Sequence, residues 1–341
     1  MKQGGVWVWG AVVLVIGLGG ACGDDSTGPT GGSGGSAVGG SAVGGSAAGA
    51  GGAGGGSSLT EHVVKPSATD SSIGSPDRDE YAYLDPSATP RGELFLFLPG
   101  TTQQPSQTKL LLQEAARAGY HVIGVDYPNS AALSDLCGDD LDCYDLARQE
   151  IIAGADMSTV VSVTPENAIL NRTVKLLDYL AAQFPTEGWD TFLSGAEPAW
   201  DLVAVAGHSQ GGGHAAYLAK LHAVARVVLF SSVVDASSGA QPTPAVWLTT
   251  GHATSSDRYF GFAHTADPLA PRIEAGWGAL ELPGALTSVD DAASPFGDTH
   301  QLSTSTSSIS AHNAVVLDGV TPMSGADPVY REVWHYMMTA N

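Results

Sequence analysis

Leu202-Val203-Ala204-Val205-Ala206-Gly207-His208-Ser209-Gln210-Gly211-Gly212-Gly213 is the stretch on which the fold turns. It opens as a continuous apolar run of strand length and bends abruptly through Gly207 to Gly213. It then enters Ala215-Ala216-Tyr217-Leu218-Ala219-Lys220, a segment of good helix formers. Within the bend, Gly207-His208-Ser209-Gln210-Gly211 matches the pattern G-x-S-x-G. A serine at the apex of a strand-to-helix turn takes a strained conformation. Glycines two before and two after it let neighbouring backbone pass close by. Such a turn lifts the hydroxyl out of the strand and sets it beside a helix N-terminus, where backbone N–H groups favour negative charge. The bland alternative is a Gly-rich turn of a dinucleotide-binding unit with Ser209 as a helix cap. No G-x-G-x-x-G with a following acidic ribose partner accompanies it.

Outward from this stretch, strands and helices alternate. Glu93 to Leu98 reads as a buried strand ended by Pro99-Gly100-Thr101-Thr102, and Lys109 to Ala118 as an amphipathic helix closed by Gly119. Tyr120 to Asp126 is the next strand, followed by a long cysteine-bearing excursion over residues 128–168, and Ile169 to Phe184 has helical apolar spacing. Beyond the central bend come strands at Val224 to Val234 and Arg258 to Phe262, then an edge strand at Gln301 to Thr306, with Ala285 to Asp290 as a competing last strand. Pro328 to Met338 reads as a closing helix with Asp327 as its N-cap and the proline at its first position. Alternation of this kind implies an α/β fold, a mostly parallel central sheet with helices on both faces. Ligands of such sheets bind beyond the C-terminal strand ends. The segment between the Val224–Val234 strand and the next is short, which leaves no room for a large lid and implies an open or modestly covered cleft.

A serine hydroxyl is a weak nucleophile until a base removes its proton, and that base needs an acid to orient it. Ser209 is the candidate nucleophile. Two acids stand just beyond strand ends, Asp267 and Asp235, and Asp267 is preferred because it directly follows the Arg258–Phe262 strand. Two histidines compete as base. If Gln301–Thr306 is the last strand, His312 emerges on the loop beyond it while His300 sits at the wrong end; if Ala285–Asp290 is last, His300 gains ground. His312 is preferred. An acyl reaction also needs donors for a developing oxyanion. The Gln210 amide begins the helix after the nucleophile, and Gly100 allows the loop after the Glu93–Leu98 strand to bring in the Thr101 amide. His208 and His214 belong to the bend itself, and His264 to the acid loop. His62, His121, His222, His252 and His335 carry no motif, and Trp247, Trp277 and Tyr127 read as core packing or pocket walls.

The Leu98-Pro99-Gly100-Thr101 loop, Gly207-His208-Ser209-Gln210-Gly211 and His264-Thr265-Ala266-Asp267-Pro268 together resemble the signature sites of the α/β-hydrolase superfamily, over roughly residues 90–341. The resemblance implies an eight-stranded, mostly parallel sheet and a Ser-Asp-His mechanism without cofactor or metal. The Gly-His-Ser-Gln-Gly-Gly-Gly run is similar to exported esterases, cutinases and polyester depolymerases, so an ester, small or polymeric, is the implied substrate. Pro99 stands where the common oxyanion loop of that family has histidine. Acyl transfer or peptide cleavage would use the same triad, and a binding module would keep the fold without the chemistry.

The first part of the chain is not globular in composition. Met1-Lys2, an apolar run from Val6 to Leu18 and Gly19-Gly20-Ala21-Cys22 form an export signal over residues 1–21, too short for a spanning helix. Its ending resembles a bacterial lipobox, which would make Cys22 a lipid anchor to a membrane; plain secretion is the alternative. Residues 22–58 are almost entirely Gly, Ser and Ala and are expected to form a flexible tether, leaving 59–341 as the catalytic domain. With Cys22 lipidated, Cys137 and Cys143 are an even pair, and export favours a local disulfide between them over a zinc site. A formal charge of −21 argues against nucleic acid as a partner and against electrostatic docking on anionic lipid.

Overall fold

Leu94–Leu98 illustrates how the sheet is built: five consecutive apolar residues, every one buried, because both faces of this strand are covered. In the computed structural model, which describes residues 59–340, its leucines and phenylalanines divide between two cores. Leu94, Leu96 and Leu98 belong to one cluster and Phe95 and Phe97 to the other, the period-two alternation of a strand between two helical layers. The expected export signal, Cys22 and the tether lie outside the described residues.

The sheet strands are β1 (Thr60–Val64), β2 (Glu80–Leu84), β3 (Leu94–Leu98), β4 (His121–Gly124), β5 (Val203–His208), β6 (Arg226–Phe230), β7 (Tyr259–His264), β8 (Thr287–Ser288) and β9 (Gln301–Thr304). The order across the nine-stranded sheet is β1-β2-β4-β3-β5-β6-β7-β9-β8. From β4 to β8 every pairing is parallel; β1 with β2 and β2 with β4 are antiparallel. The helices that matter are α1 (Lys109–Arg117), α2 (Leu133–Cys137), α3 (Cys143–Ala153), α4 (Ile169–Gln183), α5 (Gln210–Leu221), α6 (Ala270–Ala279), the single turn α7 (Ala311–Ala314) and α8 (Arg331–Thr339). Buried residues of α3 to α6 pack in the leucine-bearing core, and those of α1 and α8 in the phenylalanine-bearing one. The fold is therefore α/β, with a large, mostly parallel sheet between helices.

Several sequence expectations change. The sheet has nine strands, not eight, and both segments that competed for its far edge enter it: β8 lies outermost, so the Gln301 segment is not the edge. The closing helix begins at Arg331 rather than at Pro328. Asp327 and Pro328 instead pair with Met323 and Ser324 around Gly325, a hairpin that uses the proline where no helical N–H is required. The cysteine-bearing excursion carries two helices joined by the polar turn 138–142. Cys137 ends α2, Cys143 begins α3, and a disulfide with a Cα–Cα distance of 5.5 Å joins them. Trp247, Trp277 and Tyr127 are fully buried core residues. Among the described residues no helix is long and apolar enough to cross a membrane.

The helix after the bend carries a charge-sensitive residue into the core. His214 on α5 is fully buried, packs edge-on against the Tyr127 ring at 5.3 Å, and both ring nitrogens lack a hydrogen-bond partner. Burial, with Arg148 nearby, drives its pKa well below the usual value of 6.5. The unfolded chain therefore binds a proton that the native state refuses, and stability is present above pH 6.5 and drains away below it. Buried Glu80 and Asp126, whose pKa values are raised by desolvation, act in the opposite sense. A comparison isolates the histidine: between pH 7 and pH 5, urea unfolding should show the wild type losing roughly 2 kcal/mol more stability than His214→Leu. Equal pH slopes in the two proteins would contradict the assignment.

Candidate active site

Three glycines allow the turn between β5 and α5. A Cβ on Gly207 would lie 2.3 Å from the Gly211 carbonyl carbon, one on Gly211 would lie 2.1 Å from the Leu98 carbonyl oxygen, and one on Gly212 would lie 2.5 Å from Ser232 Cβ. Only bare backbone fits. Ser209 at the apex has φ 51°, a left-handed conformation that costs a non-glycine residue of order 1–3 kcal/mol. Hydrogen bonds hold it there: its amide donates to the Phe230 carbonyl (2.9 Å), and its own carbonyl accepts from the Gly213 amide (3.2 Å) and the Ser232 hydroxyl (2.9 Å). Two further non-glycine residues with positive φ stand close by in the network, Thr102 at 60° and Ser231 at 45°. Strain concentrated beyond the C-terminal strand ends marks this end of the sheet as the place to seek function.

Ser209 faces a cavity of about 310 Å³ whose wall it shares with Thr101, Gln210 and His312. Asp267 and His312 meet beside it. The His312 Nδ1–H donates to Asp267 Oδ2 at 2.7 Å, with the carboxylate wholly buried and the imidazole 23% exposed. The other carboxylate oxygen accepts the Leu269 amide at 2.9 Å, so Asp267 cannot swing away. The Ser209 hydroxyl makes no hydrogen bond among the described residues.

The competing candidates are used elsewhere. His300 stacks on Phe260 with ring centroids 3.9 Å apart and pairs through Nδ1 with the Tyr259 carbonyl (2.9 Å), at the start of β7 and thus the far end of the sheet. Asp235 does reach the cavity wall, but both its oxygens are taken. Arg148 binds it in a fork, Nε to Oδ2 at 2.6 Å and Nη2 to Oδ1 at 2.5 Å, and Trp247 Nε1–H adds a third contact at 2.9 Å. His264 stays near the acid loop, accepting the Ala266 amide at Nδ1 (2.9 Å).

Two backbone amides at the cavity are left open. In the loop after β3, Pro99 has no N–H, the Gly100 amide donates to Gln103 Oε1 (3.0 Å), the Thr102 amide to the Asn129 carbonyl (2.8 Å) and the Gln103 amide to the Gly100 carbonyl (3.1 Å). Thr101 is left with the one open N–H of that loop. The Gln210 amide, first in α5, is likewise open, as helix N-termini require. Tyr127 and Asn129 side chains brace the loop by donating to the Pro99 (2.7 Å) and Gly100 (2.7 Å) carbonyls.

Sequence inspection missed the connecting groups. His208 joins the two loops from beneath, pairing through Nδ1 with Gln103 Oε1 (2.8 Å) and through Nε2 with the His312 carbonyl (2.9 Å). Burial and the neighbouring His312 push its pKa down to about 3, and a neutral ring donates to only one of these two oxygens at a time. Arg148 was missed because α3 was not foreseen. Its signal was an arginine in line with the buried Tyr144, Ala147, Ile151 and Ile152. That same excursion contributes Ala132, Leu133, Ser134 and Arg148 to the cavity wall, alongside Val234 and Asp235 from the segment after β6.

No protein-family model and no curated protein sequence matches the chain. Among the described residues no three His, Cys, Asp or Glu side chains gather as a metal-binding group.

The Arg148–Asp235 pair, with both side chains wholly buried, yields a stability prediction. Arg148→Met strands a carboxylate in the core and should cost about 3–5 kcal/mol in urea unfolding, whereas Arg148→Met combined with Asp235→Leu should recover most of that loss. A single variant within about 1 kcal/mol of wild type would contradict a charge pair at this position.

Proposed function

We propose that this chain is a serine hydrolase of the α/β-hydrolase superfamily that cleaves carboxylic esters through an acyl-enzyme. The observation that carries the proposal is the 2.7 Å contact between Asp267 and His312 at the wall of the cavity that Ser209 enters from its strained turn. Residues far apart in sequence thus share one cavity region, and they are of the three types that nucleophilic acyl substitution needs. The sheet order, parallel from β4 onward with antiparallel strands at its start, agrees with that superfamily.

In this mechanism Ser209 Oγ attacks the ester carbonyl carbon as His312 Nε2 takes its proton. Asp267 holds the imidazole in the Nδ1–H tautomer and stabilises the imidazolium that forms. Negative charge on the carbonyl oxygen falls between the open amides of Thr101 and Gln210, where preorganised N–H groups lower the barrier without rearranging. Collapse expels the alcohol, which receives the proton from His312. Water then enters and attacks the acyl carbon as His312 takes its proton; the bond to Ser209 Oγ breaks, His312 returns that proton to the serine oxygen, and the acid leaves. Export, with the Cys137–Cys143 disulfide suiting an oxidising compartment, and a lipid anchor at Cys22 complete the proposal.

Hydrolysis of a p-nitrophenyl ester tests it. Ser209→Ala should lose at least about 10³-fold in kcat while retaining the wild-type circular dichroism spectrum. Retained turnover in that variant would refute the assignment.

A further inference from the structure

Gln210 is held by three separate parts of the chain. Its side-chain Oε1 accepts from the Thr101 hydroxyl (2.9 Å) and from the Leu133 amide at the start of α2 (3.1 Å), and its carbonyl accepts from Arg148 Nη1 (3.2 Å). The residue is 3% exposed, and its Nε2 is buried with no partner among the described residues. An orphaned donor is an expense that a methionine or leucine filling the same space would avoid, so packing alone does not account for a glutamine here. What the glutamine supplies is an acceptor, aimed at the residue that carries the loop's one open amide. Thr101 and Gln210 are therefore tied by their side chains while their backbone N–H groups remain free.

We propose that the Gln210 side chain is a positioning group: by accepting from Thr101 and Leu133 it fixes the spacing and aim of the two amides that receive the oxyanion. This rests on the serine-hydrolase mechanism above. It also makes the excursion between β4 and α4 part of the catalytic frame, since Leu133 and Arg148 are its contributions. Displacement of a reacting group by about 1 Å can cost on the order of 10²-fold, so a loosened donor pair should appear in kcat rather than in substrate binding.

A double-mutant cycle tests the proposal with the full-length protein and a p-nitrophenyl ester. Gln210→Met and Thr101→Val each keep the backbone amide and nearly the same volume. Each should lower kcat by roughly 10- to 100-fold with KM within about threefold of wild type. Because both remove one tie, the double variant should fall no more than about threefold below the worse single. Gln210→Met with kcat within about twofold of wild type, or losses that multiply in the double variant, would overturn the proposal. If Gln210→Met does not fold, Thr101→Val against Thr101→Ser decides. The serine restores the hydroxyl and should regain most of the loss; equal turnover in the two overturns the tie. Wild-type turnover reports separately on the mechanism underneath. A wild type inert towards esters removes both claims, whereas an active wild type with an unaffected cycle removes only this one.

Discussion

Everything at this site depends on how closely one helix backbone approaches two strand ends. Gly211 lies where a single methyl would sit 2.1 Å from the Leu98 carbonyl oxygen, and Gly207 faces the same helix turn at 2.3 Å. That contact brings the start of α5 against the end of β3. It thereby places the Gln210 amide beside the loop bearing Thr101, with Ser209 forced into left-handed backbone between them. The third glycine of the run has a different cause: a Cβ on Gly213 would lie 1.9 Å from Arg148 Nη2. The guanidinium rests directly on the helix backbone, which is how it reaches the Gln210 carbonyl.

Two aspartates beyond adjacent strands have been given opposite uses. Asp235 is saturated by an arginine and an indole, and the pair is a structural unit whose charges cancel inside the core. Asp267 spends one oxygen on the Leu269 amide that anchors its loop and keeps the other for an imidazole. The histidine partner is in turn held by its own backbone: the His312 carbonyl accepts from the Ser231 hydroxyl at 2.8 Å as well as pairing with His208. The backbone of His312 is thus fixed through its carbonyl, and its ring through Nδ1 by Asp267.

What could be read from sequence follows the range of the forces involved. The bend, the buried strands and the long helices announce themselves through local periodicity and glycine placement, and the choice of Asp267 and His312 followed from the rule that functional groups stand beyond C-terminal strand ends. The two-residue strand β8 lies inside the Ala285–Asp290 segment, which sequence offers only as a rival to Gln301–Thr306; so short a pattern does not show that both pair. Asp327-Pro328 imitated a helix start because proline suits both a first helical turn and a hairpin, and only pairing with Met323-Ser324 decides between them. The roles of Arg148, Gln103 and His208 are long-range by nature. Each connects segments scores of residues apart, so no window of sequence contains both ends of the contact.

The central claim is that a strained turn presents one serine for activation by His312. Labelling the intact protein with a fluorophosphonate and locating the adduct by peptide mass spectrometry tests it most directly. The account predicts a single adduct, on Ser209, whose formation is lost in His312→Ala; an unmodified Ser209, or labelling undiminished without His312, would contradict it.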